Sequence, residues 1–189
     1  MSTDTTTPVT SFRRMDQGTQ KDWDVIMAES EIVMAQMPER VLALLESLRT
    51  ITSGFAVDQL VHVTQTATRA QRAGADDELV VASLCHDIGK AISVLNHPAV
   101  AADIIGPYVR PEVEWMIRYH QDFQGKHYYG FIGMDPDSRE RHRGHPNFEL
   151  TAVFADEWDQ ASFDPDYDTL PLAHFEPLVR SVFARPLHW

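Results

Sequence analysis

Cysteine is nearly absent from this chain: Cys85 is the single one among 189 residues. A disulfide framework is therefore excluded, and a reducing compartment, the cytoplasm, is expected. Cys85 lies in an apolar run beside His86 and reads as a small core residue rather than a thiol nucleophile. Positive charge is also scarce. Lys and Arg number 16 against 28 Asp and Glu, for a net charge of −12. Such a surface repels phosphate backbones, so nucleic acid is not an expected partner. No apolar run approaches the ~18 residues needed to span a bilayer, and no membrane partner is expected. The opening MSTDTTTPVTS has no basic region followed by an apolar stretch, so no secretory signal is expected. Internal repeats and period-two alternation are missing too, which argues against solenoids and sheets.

What remains is a succession of helical patterns, with an apolar share of 43% and a charged share of 23%. Residues 1–18 read as a flexible polar tail and residues 19–189 as one all-α domain. Helical spacing is expected over Lys21–Met37, Pro38–Ile51 and Val57–Ala73, the last closed by Gly74. Asp76 then caps a helix that is apolar nearly all round, LVVASLCHDIG, which should lie at the centre of the fold. Further helices are expected over 98–109, 111–120, 147–159 and 174–184. Between them runs a long polar loop, 121–146, of a kind that often covers a site. Trp23, Trp115 and Trp158 read as packing residues.

The sharpest chemical signal is His86-Asp87-Ile88-Gly89-Lys90. A carboxylate beside an imidazole at the end of an apolar helix is costly to bury unless a cation compensates it. Side chains of adjacent residues on a helix point about 100° apart. Asp87 is therefore placed to bridge two metals while His86 binds one.

This motif resembles the HD-domain superfamily, and the resemblance runs from about Val57 to Asp159. It implies an HD-domain helical bundle with a dinuclear centre. It assigns a first ligand to His62 in HVTQTATRA, two further ligands to His97 in NHPAVAADII and His120 in IRYHQDF, and a last one to Asp159 in EWDQASF. The implied set is His62, His86, Asp87, His97, His120 and Asp159. Mixed imidazole and carboxylate ligands suit iron or manganese. His142, His174 and His188 are left as ordinary histidines.

Two chemistries share that pattern in the superfamily. VHVTQTATRA, and HDIGK followed by WMIRYHQDF, are similar to the mixed-valent diiron oxygenases, a branch that holds myo-inositol oxygenase and phosphonate oxygenases. That likeness implies two iron ions, Fe(II)/Fe(III), with O₂ and a small-molecule substrate as partners. The reaction expected is oxidation of a C–H bond next to a hydroxyl of a small polar, anionic or phosphonate-like molecule, with Asp87 and Lys90 as catalytic residues. The alternative is a metal-dependent phosphohydrolase acting on a nucleotide or small phosphoester with Mn, Mg or Ni. The chain departs from the phosphonate oxygenases at Thr52 and Phe55, where those enzymes carry a gating Tyr and Glu, and at Lys90, where they tend to have His. Lys90 of the HDIGK motif, and Lys126, His127, Arg143 and His145 in and around the basic segment RERHRGH, are the expected substrate-binding residues. A monomer or homodimer is expected.

Overall fold

The computed structural model describes residues 9–184, 186 and 187. It is all-helical and contains no strand among these residues. Residues 1–8 of the expected tail lie outside the described residues; within the remainder, Met15–Gln17 form a 3₁₀ turn and Phe12 packs against Trp23.

Local signals account for where each helix begins. Helix α1 (Gln20–Ala35) starts on a capping box, in which Thr19 and Asp22 satisfy each other's backbone N–H groups. Pro38 lies in the first turn of α2 (Met37–Ser47), where its missing N–H goes unnoticed. Asp58 caps α3 (Gln59–Arg72) through the N–H of Val61. Asp76 caps α4 (Asp77–Cys85) through the N–H of Leu79, as the sequence predicts. Pro98 and Pro111 occupy the first turns of α5 (His97–Ile105) and α6 (Pro111–Gln124). Helices α7 (Phe148–Val153) and α8 (Leu172–Val182) complete the series.

Helix α4 is the centre of the bundle: every residue from Val80 to Cys85 is buried. It packs on α3, α6 and α8, and α5 lies along α6. Leu45, Leu84, Ile88, Ile105, Met116, Ile117, Phe154 and Phe175 join one continuous apolar core. Cys85 sits in that core, and burial pushes its thiol up to about 12. It is an inert packing residue.

Three differences from the sequence expectation bear on the site. Helix α4 stops at Cys85, so Asp87 does not lie on an α-helix. Its backbone, at φ −104° and ψ 6°, opens a 3₁₀ turn over Ile88–Ala91. Helix α6 runs one turn past His120 to Gln124. The stretch 121–146 is not one irregular loop but a chain of 3₁₀ turns over Gly125–His127, Tyr129–Ile132 and Ser138–His142.

Candidate metal centre

The six side chains converge at one end of the core. Helix α3 delivers His62, the end of α4 His86 and Asp87, and α5 begins on His97. Helix α6 carries His120. The stretch Phe154–Asp159, which continues α7, is wound as a π-helix that ends on Asp159. None of the six is more than 5% exposed.

Asp87 stands in the middle, and its two oxygens face different neighbours. Oδ2 lies 3.3 Å from Nε2 of His62 and 3.5 Å from Nε2 of His86. Oδ1 lies 3.0 Å from Nε2 of His97 and 3.6 Å from Nε2 of His120. Asp159 joins the first side: its Oδ1 is 3.2 Å from His62 and 3.4 Å from His86. Two clusters of ligand-type atoms result, His62–His86–Asp159 and His86–Asp87–His120. The two oxygens of Asp87 face opposite sides because of the 3₁₀ turn rather than helical angles, and it is His86 that the two clusters share.

The imidazoles are all oriented in the same way. Nδ1 donates to a backbone carbonyl in each: His62 to Ser162 at 2.9 Å, His86 to Ser83 at 2.8 Å, His97 to Val94 at 2.8 Å and His120 to Ile117 at 2.7 Å. A carbonyl only accepts, so Nδ1 must carry the hydrogen. Nε2 of a neutral ring then offers a lone pair, and all four lone pairs point inward. Oδ1 of Asp87 and Oδ2 of Asp159 are buried without a hydrogen-bond partner. Acceptors facing acceptors in a dry interior call for a cation.

Electrostatics agree. Burial opposes the charge on His86, but Asp87 and Asp159 outweigh it and push the imidazolium up to about 10. Burial likewise opposes ionisation of Asp87, yet His86 and Lys90 hold it well below the usual carboxylate range. Asp159 is lowered in the same way by His86 and His62. His120 is lowered, chiefly by burial. The field that draws a proton onto His86 draws a divalent cation more strongly, and four imidazoles with two carboxylates suit a first-row metal.

Aromatic rings wall the cage. Phe163 stacks on His62 with centroids 4.2 Å apart, and Phe55 stacks on Phe163 at 4.6 Å. Ser53, at φ 47°, and Gly54, at φ 83°, turn the backbone left-handed and bring Phe55 into place. Gly89 is required for closeness: a Cβ there would stand 2.3 Å from the carbonyl oxygen of His97.

A cavity of about 480 Å³ opens beside the cage. His97 and Lys90 line its inner side, Gln121, Gln124, His127 and Gln160 contribute polar groups, and Phe55, Val94 and Phe163 are apolar. Lys90 donates to Oδ2 of Asp87 at 2.5 Å and to Oε1 of Gln59 at 2.9 Å. Of the residues expected to bind substrate, Lys90 and His127 reach this wall. Lys126, Arg143 and His145 do not. Lys126 is exposed and pairs with Asp156 at 3.5 Å, Arg143 is held by Glu140, and His145 stacks on Trp115 at 4.1 Å. Their charges and rings are used by Asp156 of the π-helix, by Glu140 of the neighbouring 3₁₀ turn and by Trp115 of α6. Gln59, Gln124 and Phe163 belong to the site and carry no sequence signal for it, since amides and phenyl rings are common along any chain.

A family model of the HD domain matches residues 60–162. No curated protein matches the chain.

Proposed function

The chain belongs to the HD-domain family of metal-dependent enzymes, and from that premise we propose that it is a diiron oxygenase that oxidises a C–H bond next to a hydroxyl of a small polar substrate. The observation that carries the reading is the common orientation of His62, His86, His97 and His120, each anchored at Nδ1 with Nε2 turned toward the split oxygens of Asp87. His62, His86 and Asp159 would hold one ion, His97 and His120 the other, and Asp87 would serve both.

Bound there, a redox-active pair of cations supplies Lewis acidity for a substrate hydroxyl and electrons for dioxygen. The chain's own residues do the rest. Lys90, fixed between Gln59 and Asp87, keeps an ammonium at the inner wall, where it stabilises negative charge on a substrate oxygen. Gln121 and Gln160 offer amides to hydroxyl groups across the cavity. Phe55 and Phe163 exclude water from the His62 side.

The wall also favours an oxygenase over the phosphohydrolase alternative. Lys90 and His127, its basic groups, are each paired with a carboxylate, Asp87 and Asp156. A doubly charged phosphoester would meet no free arginine fork, whereas a hydroxyl-bearing molecule finds amides. For the same reason an anionic group is not part of the substrate proposed.

Protein purified from iron-supplied cells and partly oxidised without air should contain two irons per chain and give the EPR signal of a coupled mixed-valent pair. Addition of small polyols and hydroxy compounds should perturb that signal and start O₂ uptake. Hydrolysis of phosphoesters with Mn(II) or Ni(II), without O₂ uptake on any hydroxyl compound, would overturn the reading.

A further inference from the structure

His120 and Gln124 stand one turn apart on the same face of α6, yet they serve different parts of the cage. His120 faces Oδ1 of Asp87. The Gln124 amide donates from Nε2 to Oδ1 of Asp159 at 2.9 Å, a contact between residues far apart in the chain. It is the same oxygen that faces His62 and His86, while Oδ2 of Asp159 has no hydrogen-bond partner.

We propose that Gln124 is a positioning residue for Asp159. Its amide occupies one lone pair of Oδ1 and fixes rotation of the carboxylate, so that Asp159 meets a cation on the His62–His86 side in a single geometry. The proposal rests on the reading that the cage holds two cations, and it deepens that reading by assigning control of one of them. The physical reason is entropic and geometric. A carboxylate free to swing offers several binding modes, and a hydrogen bond that selects one in advance removes the ordering cost. Because Gln124 also borders the cavity, the wall that receives substrate and the ligand that holds the ion share one side chain.

Chelator-stripped protein titrated with Co(II), followed by the visible absorption of the bound ion and by competition with a calibrated chelator, tests this. Wild type should bind two ions. Gln124→Met, similar in length but without the donor, should keep one ion at wild-type affinity and bind the other about 10- to 100-fold more weakly. Gln124→Ala, which vacates the space instead of filling it, should show the same selective loss. Gln121→Met, an amide lost from the same helix and wall but without a bond to Asp159, should bind both ions as wild type does. Two tightly held ions in both Gln124 variants would overturn the proposal, and so would equal weakening of both ions. A wild type that binds no Co(II) would instead sink the two-cation reading itself.

Discussion

Replacing Gly89 with Ala tests how tightly the backbone constrains the cage. The added Cβ would stand 2.3 Å from the carbonyl oxygen of His97, 2.8 Å from its Cα and 2.9 Å from its carbonyl carbon. Ordinary contact needs about 3.5 Å, so the start of α5 must retreat by about 1 Å. The obstacle is backbone, which cannot rotate aside, and such overpacking costs about 1–3 kcal/mol. The retreat also carries His97, whose Nε2 now lies 3.0 Å from Oδ1 of Asp87. Metal–nitrogen bonds tolerate only about 0.2 Å of error. Gly89→Ala should therefore fold with a lower melting temperature and lose the ion on the His97–His120 side, while the ion held by His62, His86 and Asp159 stays. Metal analysis after dialysis against a fixed Mn(II) concentration would read one ion per chain instead of two. Gly130→Ala is the control, because a Cβ there meets nothing within 4 Å. Two ions at wild-type affinity in Gly89→Ala, with an unchanged melting temperature, would refute the reasoning.

Stripping the metal with a chelator should lower the melting temperature, because Asp87 Oδ1 and Asp159 Oδ2 are then left buried without partners; restoring an ion at a hundred times its Kd should return about 2.7 kcal/mol per site, read by calorimetry. Lys90→Met should retain both ions but reduce turnover by about 10²-fold in an O₂-uptake assay. Arg143→Gln should leave turnover unchanged, since Arg143 is engaged by Glu140 away from the cavity. Burial opposes the charge on Asp156, but Arg139 and His127 hold its carboxyl below 3.8. A depressed carboxylate stabilises the fold above its unfolded value and loses that effect as the pH falls through its folded one. Asp156→Asn should accordingly be less stable than wild type in urea near neutral pH, and the gap should close in acid below about pH 4.

The parts of the site that could be read from the sequence are those with rare chemistry at fixed places. His86-Asp87 at the end of an apolar helix announces itself, because a buried carboxylate beside an imidazole needs a reason to be there, whereas His62, His97, His120 and Asp159 were legible only through the resemblance to the HD-domain superfamily. The all-α architecture was equally legible, because caps such as Asp76 and Pro111 mark helix starts by local physics. Gln124 and Gln59 were not legible. Their contacts reach Asp159 and Lys90 across tens of residues, and an amide in a helix carries no periodic or compositional mark. The basic segment 139–145 misled for a related reason. Composition counts its arginines but not the acids that meet them in space, such as Asp122, Glu140 and Asp156. The path from α7 to Asp159 was read as plain α-helix, because a π turn depends on hydrogen bonds that no residue type announces.

That wide turn has a consequence for how this chain tolerates change in length. Gln160 donates its N–H to the carbonyl of Ala155 at 3.1 Å, five residues back, so the backbone carries one residue more than an α-helix would need there. Glu157 faces solvent inside the turn. Excising it would let the strand of backbone relax into regular helix, a change that a folding assay would register as harmless. A four-residue α turn would then span what the five-residue π turn spans now, so the side chains after it would keep their present directions. Asp159 would still look toward His62, whereas the same excision from the regular turns of α7 would swing it about 100° and leave an open-sided cage.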